Sequence, residues 1–129
     1  MIHNGSCHCG RVRFTAELDL GAGSVRCNCS ICTKGRMWLA MVPPGSFEVV
    51  SGETVLNSYE FGDRIRHHFC TVCGIKPFGE VRFDQGAGIA VNLACLDDVT
   101  PDDLAAIAVQ YVDGRHDHYD RAPAVTAYL

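Results

Sequence analysis

Cys27-Asn28-Cys29-Ser30-Ile31-Cys32 places three thiols within six residues, as C-x-C-x-x-C. Thiols this close on a bending loop reach one tetrahedral centre without long side chains, and zinc takes thiolate ligands readily. Three ligands leave one of four positions open. Structural zinc sites are closed, whereas catalytic ones keep a place for water or substrate, so the fourth position decides the function.

Working outward, the other cysteines fall into two pairs and a single. Cys7 and Cys9 form C-x-C between Gly5 and Gly10, Cys70 and Cys73 form C-x-x-C followed by Gly74, and Cys95 stands alone. The N-terminus has neither the charged nor the apolar region of an export signal, so a cytoplasmic, reducing setting is expected, where clustered cysteines bind metal rather than form disulfides. Two pairs and a trio suit two zinc ions. Spacing alone leaves the partition open, because Cys7/Cys9 can join Cys70/Cys73 or Cys27/Cys29, and Cys95 either completes the trio or is a buried free thiol.

The 129 residues suffice for one domain, 1–129, and are too few for two comfortable ones. Hydrophobic residues make up 47% and charged residues 20%, with a net charge of -4, which argues against a nucleic-acid partner bound by bulk charge. No apolar run approaches the ~20 residues of a membrane span.

Between the thiols the chain reads as short strands. Arg11–Glu17 alternates with Val12, Phe14 and Ala16 inward; Val25-Arg26 is a short strand; Met37–Val42 is an apolar interior strand stopped by Pro43-Pro44. Phe47–Ser51 and Val55–Phe61 flank Gly52-Glu53 as an expected hairpin, and Arg64–Phe69, Pro77–Phe83 and Gly88–Cys95 supply three more strands. Ser30–Gly35 is expected to form one helical turn. Thr100-Pro101-Asp102-Asp103 has the cap, proline and acidic first turn of a helix start, placing a short helix over Leu104–Ile107.

The stretches Gly5-Ser6-Cys7-His8-Cys9-Gly10, Cys27–Cys32, His68-Phe69-Cys70-Thr71-Val72-Cys73-Gly74 and Val91-Asn92-Leu93-Ala94-Cys95-Leu96-Asp97 together resemble the glutathione-dependent formaldehyde-activating enzyme family, also called GFA or CENP-V, over nearly the whole chain. The resemblance implies an all-β, mainly antiparallel Mss4-like fold with zinc knuckles and one short C-terminal helix. It also implies a structural zinc on Cys7, Cys9, Cys70 and Cys73 and a second zinc on Cys27, Cys29 and Cys32. Family enzymes are carbon–sulfur lyases joining glutathione to formaldehyde as S-hydroxymethylglutathione.

That chemistry suits the residues. A zinc carrying three thiolates is a weak Lewis acid, better at holding a fourth thiolate than at activating water. The expected partners are therefore glutathione or another small thiol, and a small aldehyde. Glutathione's carboxylates need cations, for which Lys34, Arg36, Arg64 and Arg66 are the candidates, each with the plain alternative of a solvated surface charge. Trp38 is expected in the core, His67 and His68 on opposite faces of a strand, and His116 and His118 in a solvated loop. A second class stays open, a binding module with both zincs structural and the second closed by Cys95 or a histidine. An exposed sheet edge leaves pairing into a homodimer possible.

Overall fold

The computed structural model describes residues 1–129. Its strands are Ile2–Ser6 (β1), Arg13–Glu17 (β2), Ser24–Cys27 (β3), Leu39–Val42 (β4), Phe47–Ser51 (β5), Leu56–Phe61 (β6), Ile65–Cys70 (β7), Phe78–Phe83 (β8), Gly86–Asn92 (β9) and Val109–Val112 (β10); the helices are Ser30–Gly35 (α1) and Pro101–Ala105 (α2).

The strands form a three-stranded sheet in the order β1-β2-β5 and a seven-stranded sheet in the order β10-β3-β4-β9-β8-β7-β6. All neighbours are antiparallel except β10 and β3. Alternation along β2 turns Phe14 and Ala16 toward the second sheet, where Val42, Phe78, Ile89 and Val91 meet them. Phe47 stacks on Phe14 at 5.3 Å between ring centroids and lies 4.5 Å from Phe78, which in turn stacks on His68 at 4.7 Å. This chain of rings ties the two sheets together.

The seven-stranded sheet is also apolar on its other face. Val25 and Cys27, Leu39 and Met41, Ala90, Val81, Ile65 and His67 alternate with the core residues and point away from the small sheet. The core is thus on one side of this sheet and the candidate site on the other.

Several expectations need correction. Phe47–Ser51 and the strand at 56–61 do not form a hairpin: β5 pairs with β2, and β6 pairs with β7. Gly52 sits at φ 88 with its Cα packed on the Arg11 carbonyl, and a 3-10 turn over Glu53–Val55 carries the chain to the other sheet. The C-terminal helix begins at Pro101 and ends at Ala105, short of Ile107, whose side chain is buried in the core. Its N-cap is as expected and is closed by a capping box: the Asp103 amide donates to Thr100 Oγ1 at 3.1 Å, and the Thr100 amide donates to Asp103 Oδ2 at 2.9 Å.

Candidate metal centres and the cavity beside the second

All eight cysteines are free thiols, and seven gather at two points. Cys7 and Cys9 lie in the turn between β1 and β2, while Cys70 ends β7 and Cys73 follows in the next turn, so this cluster joins the two sheets. Each turn closes in the same way. The Gly10 amide donates to the Cys7 carbonyl at 3.1 Å and the Gly74 amide to the Cys70 carbonyl at 2.8 Å, with both glycines at φ 79.

The four sulfurs lie within 4.8 Å of one another, with 3.5 Å between Cys7 and Cys9 and 3.7 Å between Cys9 and Cys70. Tetrahedral zinc with bonds of about 2.3 Å sets its sulfurs about 3.8 Å apart, so the donor set fits the ion. Burial pushes the Cys7 thiol up, whereas the Arg11 amide and guanidinium hold Cys9 down at about 6. The rival partition, Cys7/Cys9 with Cys27/Cys29, is not the one formed.

Cys27, at the end of β3, Cys29, at the N-terminal cap of α1, and Cys32, within α1, make the second cluster, again within 4.8 Å. The Cys29 amide donates to Cys27 Sγ at 3.4 Å, folding the loop around the sulfurs. The Cys27 and Cys32 thiols donate to Cys29 and draw it down to about 3, while Cys27 and Cys32 are themselves pushed up. Three sulfurs competing for one negative charge are what a dication relieves.

No fourth cysteine, histidine or carboxylate joins this trio. Cys95 does not complete it: it lies in the 3-10 turn Leu93–Cys95, buried in the core, where burial raises its thiol to about 12.

The polar loop expected only to be solvated braces the trio. The Asn28 side-chain amide donates to Asp113 Oδ1 at 2.8 Å, Asn28 Oδ1 accepts from the Arg115 amide at 2.9 Å, and Arg115 Nε donates to the Asn28 carbonyl at 3.2 Å. His116 Nδ1 lies 2.9 Å from both Asp113 oxygens, so its ring is exposed yet anchored rather than merely solvated. Asn28 and the hydrogen bond from His116 lower the Asp113 pKa. Gly114 rests directly on the cluster: a Cβ there would collide with Cys27 Sγ. The Asp113-Gly114 dipeptide was the available signal, but nothing local tied it to residues 27–32.

The trio opens onto a cavity of about 270 Å³ on the outer face of the large sheet. Thirteen of its sixteen lining residues are hydrophobic, and none is Lys, Arg, Asp or Glu. His67 lines it, 3% exposed, and its Nε2 is buried without a partner. Burial, aided by Lys76 and then His68, lowers the His67 pKa to about 4, leaving the ring neutral near pH 7.

The expected cations divide between the two faces. Lys34 is exposed on α1, and Arg36, at φ 54 just after it, donates to the Tyr128 carbonyl beside Cys27 and Cys32. Arg64 and Arg66 are not brought to the trio. Alternation along β7 sends Ile65 and His67 to the cavity, while Arg64 pairs with Asp84 at 3.0 Å and Arg66 with Glu60 at 2.6 Å in a separate charged cleft. Two cations that were not expected lie near the trio. Lys76 Nζ would be 3.6 Å from a Cβ on Gly35 of α1, and Arg26 lies 5.2 Å over the Trp38 ring, which also packs against the core and donates to Ser24 Oγ at 2.7 Å.

Two antiparallel-rich sheets joined by a four-thiol knuckle, with a second thiol trio at the mouth of a cavity, define a β-sheet protein of the zinc-knuckle class. Residues 2–114 match the family model described as "Glutathione-dependent formaldehyde-activating enzyme". The chain belongs to that family. It is also similar to a crystal structure of a Rhodobacter sphaeroides protein solved as a structural genomics target: 33% identity over 83% of this chain and 99% of the other, with a TM-score of 0.70. No helix is long and apolar enough to cross a membrane.

Proposed function

We propose that this chain is a carbon–sulfur lyase that joins a small thiol, glutathione or a relative, to an aldehyde and also cleaves the adduct. One observation carries the reading: Cys27, Cys29 and Cys32 converge without a fourth protein ligand at the mouth of a cavity, whereas the other cluster has all four. Zinc is the proposed occupant of both, and at the trio it supplies a position where a substrate sulfur stays deprotonated near neutral pH.

The chain's own residues do the rest. Asn28, Asp113 and Gly114 fix the trio's loop, so the sulfurs need not reorganise when substrate enters. Apolar walls beside the trio lower the polarity around the reacting carbon. Lys34, Lys76 and Arg36 around α1 are the cations proposed to receive a thiol's carboxylates; Arg64 and Arg66 are set aside because they face the other cleft. In the reaction the thiol sulfur bonds to the carbonyl carbon, the carbonyl π pair moves to oxygen, and the proton lost by the thiol ends there. No further reactant is required. A reducing compartment such as the cytoplasm would keep these thiols available to metal.

Substitution of cobalt for zinc, followed by glutathione titration, tests the proposal. Tetrahedral thiolate-bound cobalt absorbs visibly, and the expected result is two metals per chain with a glutathione-dependent change at one. Two metals that both ignore glutathione and other thiols favour the alternative, a binding module with both ions structural.

A further inference from the structure

We infer that the carbonyl substrate is an uncharged, apolar aldehyde larger than formaldehyde, seated in the apolar cavity beside the trio. The inference rests on the lyase reading and adds the substrate class.

Formaldehyde has two heavy atoms and gains little from an apolar wall. The cavity, about 270 Å³ with the ion's own place beside the trio included, exceeds what two heavy atoms fill. Val25, Leu39, Val81 and Ala90 form its floor, and the part-exposed side chains of Met41 and Phe83 extend the apolar surface to its mouth. No charged lysine, arginine or carboxylate side chain lines it, so glutathione's two carboxylates have no partner inside. The cations lie instead around α1, at Lys34, Lys76 and Arg36.

This divides the two reactants. The charged thiol stays near α1 with its sulfur at the trio, while the carbon chain of the aldehyde occupies the cavity. His67 lines the cavity with its Nε2 shielded and unpartnered, and its neutral ring adds no charge to that lining.

The test uses the zinc-loaded protein and primary alcohols from methanol to octanol, uncharged analogues that do not react with thiols, with affinity read from amide shifts by NMR. Each added methylene should tighten binding about fourfold until the cavity is full. Shifts should centre on His67, Val81 and Ala90. Val81→Phe should weaken hexanol binding at least tenfold, and Ala90→Leu, which fills the same floor, should weaken it in the same direction. Should Val81→Phe fail to fold, Ala90→Leu and the alcohol series still decide the matter. Affinity that stays flat along the series, or shifts confined to the Arg64/Arg66 cleft, overturns the inference even if glutathione still perturbs the trio. A graded series without any glutathione response overturns the lyase reading and, with it, the identity of the occupant as a carbonyl.

Discussion

Asn28 occupies the middle of the first C-x-C of the trio, and replacing it with alanine should loosen the second metal centre while sparing the first. The side chain is 3% exposed and makes two hydrogen bonds, donating to Asp113 Oδ1 at 2.8 Å and accepting from the Arg115 amide at 2.9 Å. A hydrogen bond to a charged group is worth about 1.5–3 kcal/mol and a neutral one about 1 kcal/mol, so their joint loss costs about 2–4 kcal/mol. For a chain of this length that is about 8–16 °C in melting temperature, at roughly 4 °C per kcal/mol. Supporting partners of metal ligands typically change affinity by about 10–100-fold. Competition against a chromophoric chelator, which resolves the two metals by affinity, gives the readout. Asn28→Ala should weaken one zinc by that factor and leave the other unchanged, and Asn28→Asp should be worse, since it sets a second carboxylate against Asp113. If Asn28→Ala melts and binds both metals as the parent does, the 113–116 loop does not brace the trio.

The closed cluster and the open one should differ in what their loss does. Cys70→Ser removes a ligand from the knuckle that joins the sheets and should cost the fold its cooperative unfolding transition, seen by circular dichroism; Cys29→Ser should lower the zinc count to one with the β spectrum intact. Gly114→Ala, whose Cβ meets Cys27 Sγ, should cost about 1–3 kcal/mol and weaken the second zinc in the same chelator competition. Cys95→Ala should leave the zinc count at two and cost about 1–2 kcal/mol of core packing, read by denaturant melts. Asp113 gives a pH signature: its pKa lies below the ordinary 3.8, chiefly through Asn28, so its contribution to stability is complete above that value and disappears as pH falls through the lower folded-state value. Melting curves of parent and Asp113→Asn should accordingly differ by a constant amount above about pH 5 and converge in stronger acid.

The two cysteine clusters were legible because short-range spacing carries thiol chemistry, and the family-like wording of four stretches indicated which distant pairs meet. Alternation was equally readable in Arg13–Glu17, where Phe14 and Ala16 are both 1% exposed. It also set His67 and His68 on opposite faces, one lining the cavity and the other stacked on Phe78. What stayed hidden depends on long-range partners. Ile2–Ser6 holds His, Asn, Gly and Ser and has little intrinsic strand character; it is a strand because β2 pairs with it, and Gly5 is needed there because the Phe14 ring and the Cys95 carbonyl fill the space of a Cβ. Val109–Val112 pairs in parallel with β3, across more than 80 residues of chain, for which no local turn signal exists. The supposed hairpin failed for the same reason, since Gly52 marks a turn but not the sheet the next strand enters. Arg64 and Arg66 were misplaced because alternation fixes which residues share a face without saying which face holds the trio.

X-ray absorption at the zinc edge tests the centre of the proposal most directly. A closed four-sulfur knuckle beside an open three-sulfur site predicts two zincs per chain and an average of about 3.5 sulfurs per zinc in thiol-free buffer, rising to about 4 when glutathione is added. Four sulfurs per zinc before any thiol is present, or a single zinc per chain, would contradict it.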